Sequence, residues 1–122
     1  MSLSPRSRYL SDSVSTASPG RLLTMLYDRL CLDLVRAEQA VHEDDRPTIG
    51  ASTRHAMDIL FELRASLDVD SWDGAAGLAS LYDYVIGELV QAQLKLDANR
   101  VNACRRLIEP LRDAWHEALA TP

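Results

Sequence analysis

The sequence predicts an all-α fold, an antiparallel up-down four-helix bundle with a short N-terminal segment. Four stretches of similar length bring their apolar residues onto one face when each residue advances about 100° around a helix. The connections between these stretches are short and polar, which favours helices that run antiparallel to their neighbours. No segment shows the alternation of apolar and polar residues that is typical of a half-buried strand.

Length and charge exclude several classes of protein. At 122 residues, the chain is long enough for one domain with a sizeable core and too short for two. Its formal net charge of −5 disfavours both nucleic-acid binding and docking on an anionic membrane. Because no apolar run resembles a signal peptide or reaches membrane-spanning length, we expect a cytoplasmic protein without membrane insertion.

The first part of the chain is polar, rich in serine and without an amphipathic period. We therefore expect a flexible N-terminal segment over residues 1–17, followed by the four-helix bundle over residues 18–122. Tyr9 and Leu10 are adjacent apolar residues within this segment. One interpretation is a frayed terminus, and the other is a segment that docks through these two side chains.

The first helix is predicted to begin at Pro19, with Ser18 as its N-cap. The Ser18 hydroxyl can accept a hydrogen bond from an amide one turn ahead, and proline suits the first helical position because its missing N–H costs nothing there. The helix is expected to end near His42, before an acidic turn. Its predicted core face comprises Leu22, Leu23, Leu26, Leu30, Leu34, Ala37 and Val41.

The second helix is predicted to run from Pro47, capped by Asp45, to about Leu67, and the third from Ala75 to about Leu96. The core face of the second helix is Ile49, Ser52, Ala56, Ile59, Leu60, Leu63 and Leu67. The core face of the third is Leu78, Leu81, Tyr82, Val85, Leu89, Ala92 and Leu96. The polar loop between them contains Asp68, Val69, Asp70, Ser71, Trp72, Asp73 and Gly74.

The fourth helix is predicted to begin after a cap at Asp97 or Asn99 and to continue to about Ala120. Its core face is Val101, Cys104, Leu107, Ile108, Leu111, Trp115 and Leu119. Pro110 lies inside this helix, where it removes one backbone hydrogen bond and crowds the preceding turn. We therefore predict a kink near Arg106.

No catalytic, cofactor or metal site is predicted. Carboxylate-bridged metal sites in bundles need Glu-x-x-His, which is absent, and His42, His55 and His116 are interpreted as solvated. The chain also has no nucleophile elbow and no phosphate-binding loop, so we do not expect an enzyme. Cys31 and Cys104 would lie about 10 Å apart along the bundle axis, which disfavours a disulfide.

Several apolar residues do not belong to the predicted core faces. They occur in pairs at i, i+4 or i, i+7, so each pair forms a ridge along its helix. Scattered surface hydrophobes are normal, but such ridges also suit a groove that receives an amphipathic partner helix. The predicted partner-binding residues off the core faces are Met25, Leu32, Met57, Phe61, Ile86 and Val90. Tyr82, at the edge of the third helix's core face, joins them, as do Tyr9 and Leu10 from the N-terminal segment.

An ordered set of short fragments over nearly the whole chain resembles the FliS family of flagellar secretion chaperones. No later fragment is specific alone, because each is an ordinary piece of helix, but their order and spacing together are specific. The fragments are Tyr9, Ser13-Val14, Thr16-Ala17-Ser18-Pro19-Gly20, Met25-Leu26-Tyr27, Leu81-Tyr82-Asp83-Tyr84, Leu89-Val90-Gln91-Ala92 and Leu111-Arg112-Asp113-Ala114-Trp115.

The resemblance implies a non-enzymatic cytoplasmic export chaperone without a cofactor. Such proteins bind the disordered C-terminal segment of flagellin, prevent premature polymerisation and help deliver it to the flagellar type III export gate. In such proteins the client wraps along the bundle in helical pieces, and the N-terminal segment can rearrange when the client binds. On this interpretation Tyr9 and Leu10 cover part of the binding surface in the free protein.

Three alternatives are kept at this point. The chain could be a helical adaptor for a different partner, or a self-associating bundle whose extra apolar ridges bury against a second copy in a homodimer. It could also be a catalytic bundle or one that holds a cofactor between its helices. The dimer and the cofactor-holding bundle do not account for the ordered set of fragments.

Overall fold

The structure is a computed structural model that describes residues 18–120. Its helices, in chain order, are α1 (Pro19–His42), α2 (Arg46–Ser66), α3 (Ala75–Lys95) and α4 (Ala98–Ala120). Each helix packs against the next, and α4 packs against α1, so the four form a ring around one core. Residues 18–120 contain no strand. The predicted fold, an all-α four-helix bundle, is confirmed.

The predicted N-terminal segment, including Tyr9 and Leu10, lies outside the described residues. The division of the chain at residues 17 and 18 therefore stays a prediction. Within residues 18–120, no helix is long and apolar enough to cross a membrane.

Side chains cap three of the four helix starts. The Ser18 hydroxyl accepts from the backbone N–H of Arg21 at 3.1 Å, and the Asp45 carboxylate accepts from that of Thr48 at 3.2 Å. At α4, the Asp97 carboxylate accepts from the backbone N–H groups of Asn99 and Arg100, at 3.0 and 3.3 Å. These caps satisfy amides that no helical carbonyl can reach, and the predicted starts are confirmed.

The α1–α2 and α3–α4 turns have the same backbone design. Asp44 and Leu96 take left-handed conformations, with φ of 52° and 51°. Each is followed by an amide that reaches back to a carbonyl in the last turn of the preceding helix, Asp45 to Ala40 and Asp97 to Ala92, both at 2.9 Å. This pairing is the Schellman ending of a helix, and it makes both turns short.

The core is a single apolar cluster, and it is wider than the predicted faces. Its fully buried members include Leu30, Leu34, Leu60, Val85, Leu89, Val101 and Ile108. Tyr27 and Cys31 are also buried although they were not placed on the core face. Because α1 packs more extensively against α2 and α4 than α3 does against the same two helices, it buries a broader arc than one stripe.

Two residues predicted for the core of α4 are instead exposed. Leu107 and Leu119 expose 39% and 45% of their surface. Leu107 lies about 90° from the centre of the buried residues of α4 by helical period, and Leu119 lies in the last turn, at the end of the bundle. The helix itself continues past the exposed Pro110 to Ala120.

A buried carboxylate joins α1 to α2. Asp33 is 2% exposed, and it contacts Nδ1 of His55 on α2 and the guanidinium of Arg29 at 3.2 Å. The prediction that His55 is solvated was therefore wrong, since only 28% of its side chain is exposed. A carboxylate this deep needs charged or hydrogen-bonding partners, which two neighbouring helices supply here.

Candidate functional site

An apolar groove lies at the end of the bundle where α2 connects to α3. Its volume is about 340 Å³. All four helices and the α2–α3 loop contribute to it, and none of the lining side chains is charged. The lining residues are Pro19, Leu22, Leu23, Leu26, Leu63, Ser66, Leu67, Trp72, Leu78, Tyr82 and Trp115.

One side of the groove comes from the first turns of α1. Leu22, Leu23 and Leu26 were predicted as core residues, but the structure leaves them only half-buried. They lie at the capped start of the helix, directly after Pro19, where the bundle ends and no neighbouring helix covers them completely. Leu63 and Leu67, at the end of α2, continue the apolar lining.

The indole of Trp72 forms a wall of the groove from the α2–α3 loop. Trp72 exposes 48% of its surface although it lines an apolar site. Its ring lies directly against Gly74, because a Cβ added there would overlap the indole and approach Cε3 to 2.8 Å. Glycine at this position permits a contact that any side chain would displace.

The base of the groove is a cluster of aromatic side chains. Tyr82 is 2% exposed, and its hydroxyl hydrogen-bonds to that of Tyr27 at 2.5 Å. The ring of Trp115 lies tilted at 52° to the Tyr27 ring, with their centroids 6.5 Å apart. Burial raises the pKa of both tyrosines, so both stay protonated well into the alkaline range.

Tyr82 was predicted to contact a partner from the edge of the α3 face. The structure places it in the core, where it contributes to the base of the groove rather than to an exposed ridge. Its phenol ring turns inward because the Tyr27 hydroxyl offers a buried partner for its own hydroxyl.

Four of the predicted partner-binding residues share one side of the bundle, along the α2–α3 seam. Two polar contacts across this seam, Arg64–Asp83 at 3.3 Å and Thr53–Gln93 at 3.2 Å, fix the register of the two helices. On each helix, the predicted residues follow the contacting residues at intervals of three or four positions. They therefore lie on the same face of the helix, between the two polar contacts. They are Met57, Phe61, Ile86 and Val90.

This seam patch is partly buried and partly exposed. Phe61 and Val90 expose 55% and 39% of their surface, while Met57 and Ile86 pack partly against the core. The patch therefore presents an apolar strip whose base is anchored in the bundle, bounded at both ends by polar contacts.

Met25 and Leu32 lie elsewhere. They expose 40% and 41% of their surface. By helical period they point almost directly away from the buried residues Leu30 and Leu34 of α1. The structure therefore does not join this outer ridge to the seam patch.

Sequence reasoning missed the groove. Its α1 residues carry the same apolar period as true core residues, so the pattern alone does not reveal that they lie at an incompletely covered end. The available signal was Trp72, a large aromatic residue in a loop otherwise composed mainly of aspartate and turn-forming residues.

Within residues 18–120, no group of three or more His, Cys, Asp or Glu residues could hold a metal ion. Cys31 and Cys104 are free and buried. Burial raises the pKa of these thiols to about 11 and about 12, so both are protonated and poorly reactive at neutral pH.

Comparison with known proteins identifies the family. A model of the family described as flagellar protein FliS matches residues 2–122. The chain is 34% identical to the flagellar secretion chaperone FliS of Bacillus subtilis over 116 residues, covering 94% of this chain and 86% of that protein. It is 35% identical to the flagellar secretion chaperone FliS of Escherichia coli over 115 residues, covering 93% and 85%. Both relatives are named as chaperones and not as enzymes, in agreement with the prediction for this chain. The chain belongs to the FliS family of flagellar proteins.

Proposed function

We propose that this protein is a cytoplasmic export chaperone for flagellin. It binds the disordered C-terminal segment of flagellin, prevents premature polymerisation and aids delivery to the flagellar type III export gate. Membership of the FliS family and the names of its relatives as secretion chaperones support this proposal.

The observation that carries the proposal is the pair of apolar surfaces on one bundle. A disordered segment that folds on binding loses several kcal/mol to ordering, so it must bury a long apolar track to bind well. The groove takes large apolar side chains at the end of the bundle, and the seam patch takes them along its side. Two helical pieces of one client, joined by a short linker, fit these two surfaces.

The N-terminal segment has a place in this mechanism. Residue 18 immediately precedes Pro19, which lines the groove. An extended chain spans about 3.3 Å per residue, so Tyr9 and Leu10 are within about 30 Å of that point and can reach the groove. We propose that these two side chains occupy it until the client displaces them.

Co-purification tests the function directly. The full chain, carrying an affinity tag, is incubated with the organism's flagellin and with flagellin that lacks its C-terminal segment. We expect the complete flagellin to be retained and the truncated one to be lost. Equal retention of both proteins, or retention of neither, would contradict the proposal.

A self-associating bundle is the second candidate, favoured by the exposed apolar residues on α3. Leu94 exposes 74% of its surface, and Tyr84 exposes 56%. Such residues would be buried if α3 packed against a second copy of the chain. Mass measurement in solution decides this: a monomer at micromolar concentration contradicts a stable homodimer, and a dimer supports it.

A further inference from the structure

We propose that the α2–α3 loop, residues 67–74, is a specificity element of the groove. Trp72 supplies a movable wall, and the aspartates of the loop give the groove an acidic rim. Together they select an amphipathic helix that carries a bulky apolar side chain next to Lys or Arg. This inference rests on the proposed function, because its occupant is a helical piece of the client.

Within residues 18–120, packing and not hydrogen bonding holds the Trp72 side chain. Its backbone carbonyl accepts from the N–H of Ala75 at 3.1 Å, while its side chain makes no hydrogen bond within residues 18–120. Nearly half of the Trp72 surface is exposed, and the indole packs on Gly74 of its own loop without belonging to the core cluster. It can therefore shift to admit a larger or smaller apolar side chain without disturbing the core, unlike the leucines of α1 and α2.

The α2–α3 loop also carries a concentration of negative charge. Asp68, Asp70 and Asp73 are exposed in a loop that contains no basic residue. None of the three forms an ion pair with another described residue, and the groove lining itself is uncharged. A client helix that seats in the groove beside this loop meets its negative charge, which favours Lys or Arg on the adjacent side of that helix.

The other walls of the groove are fixed by the bundle. Apart from Leu67, which directly follows α2 and packs against the core, the remaining described lining residues belong to the four helices. Among the described lining residues, Trp72 is therefore the one that can change without repacking the core. Specificity for the client is best placed at such a loop residue.

The experiment measures how tightly the full chain binds a synthetic peptide of the flagellin C-terminal segment. Trp72→Ala removes the wall, and Gly74→Ala keeps the indole but displaces it. Asp70→Asn with Asp73→Asn neutralises the rim. Tyr84→Ala removes an aromatic side chain of similar exposure that does not line the groove, and serves as the matched control. Circular dichroism and thermal unfolding establish that each variant is folded.

We expect Trp72→Ala to weaken binding by about tenfold or more, as truncation of a tryptophan anchor does. Gly74→Ala should weaken it several-fold, and Tyr84→Ala should change it by less than about twofold. Raising the salt from about 0.1 M to about 1 M shortens the Debye length from about 10 Å to about 3 Å. Binding to the wild type should weaken over this range more than binding to the double asparagine variant.

A second readout does not depend on losing affinity. Trp115→Phe leaves Trp72 as the single tryptophan of the chain. Addition of the peptide should then shift the Trp72 emission to shorter wavelength, because the indole loses contact with water.

The outcomes separate this inference from the function on which it rests. If the wild type does not bind the peptide, the proposed function and this inference both fail. If the wild type binds but Trp72→Ala and Gly74→Ala bind equally well, with no change in Trp72 emission, only the role of the wall is overturned. Equal salt dependence of the wild type and the asparagine variant overturns the acidic rim.

Discussion

The hydroxyl groups of Tyr27 and Tyr82 meet at 2.5 Å in the centre of the bundle. They belong to α1 and α3, which are not neighbours in the ring of helices. This hydrogen bond therefore connects the two diagonal helices directly beneath the groove. It is a polar contact in an otherwise apolar region, and each hydroxyl depends on the other.

Replacing either tyrosine by phenylalanine should destabilise the protein, and replacing both should cost less than the two single replacements added together. Tyr82→Phe leaves the buried Tyr27 hydroxyl without its partner, which we expect to cost about 1–3 kcal/mol of unfolding free energy. The double variant Tyr27→Phe with Tyr82→Phe should lose less than the sum of the two single losses. Urea unfolding of the four proteins measures this cycle, and strict additivity would show that the hydrogen bond contributes nothing.

Stability should fall in alkaline solution. The unfolded thiols ionise near their ordinary pKa of 9.0, whereas burial raises the pKa of Cys31 to about 11 and of Cys104 to about 12. A raised folded-state pKa means that the contribution is complete below pH 9 and is lost as the pH rises through the folded values. Unfolding free energies measured between about pH 8 and about pH 11 should decline.

The cysteine contribution to that decline can be separated from that of the tyrosines. A variant with Cys31→Ala and Cys104→Ala should be less stable at neutral pH, because two buried side chains are smaller. Its stability should nevertheless decline less steeply with pH than that of the wild type. Parallel pH profiles would contradict the assignment.

Asp44→Gly should stabilise the protein. Asp44 holds a left-handed conformation with φ of 52°, which glycine adopts without the steric cost of a Cβ. Its ion pair with Arg46, at 3.5 Å between strongly exposed side chains, contributes little. We expect a gain of about 0.5–1 kcal/mol in unfolding free energy, because the relief of strain exceeds the entropy that glycine adds to the unfolded chain. Asp44→Ala, the control, should lower stability because alanine lacks the tolerance of aspartate for this conformation.

Met57→Ser together with Phe61→Ser should weaken binding of the flagellin C-terminal peptide by about tenfold, since both side chains lie in the seam patch. Tyr84→Ser is the control, because Tyr84 is as exposed as Phe61, at 56% against 55%, but lies about 140° from the centre of the seam face of α3 by helical period. Calorimetry measures the affinities. Unchanged binding by the double variant would remove the seam from the client surface, and the same test on Met25 and Leu32 decides the role of the outer ridge of α1.

Deleting residues 1–15 should make the peptide bind faster and more tightly, because Tyr9 and Leu10 no longer compete for the groove. Stopped-flow fluorescence and equilibrium titration give both quantities. Tyr9→Ser with Leu10→Ser, in the full chain, should reproduce the effect. Weaker binding after deletion would show a direct contact with the client instead, and no change would contradict both roles.

The helices could be predicted because their signals are local. Ser18, Asp45 and Asp97 each cap a helix within three residues of their own position, and the apolar period repeats within each helix. Such features depend on the neighbouring sequence and not on the rest of the fold. The predicted helix starts and ends accordingly differ from the structure by one or two residues at most.

The groove could not be predicted because its residues meet only after folding. The period of α1 places Leu22 and Leu23 on the core face but does not say whether a neighbouring helix reaches them. Trp72 joins them from a loop whose conformation has no periodic signal. The burial of Tyr82 likewise depends on Tyr27, which is 55 positions away in the chain.

The two ends of this bundle differ in how well they can accept a chain break or an attached label. Gly20 and Leu119 lie so close that a Cβ on the glycine would be 3.2 Å from a leucine methyl group, so the chain enters and leaves the bundle at the groove end. The turns at Asp44 and Leu96 both lie at the opposite end. A circular permutant opened at Asp44 and closed by a short linker would keep every helix contact while tethering the segment before Pro19. Fluorescent labels and fusion partners belong at the Asp44 end, because there they stay clear of the groove.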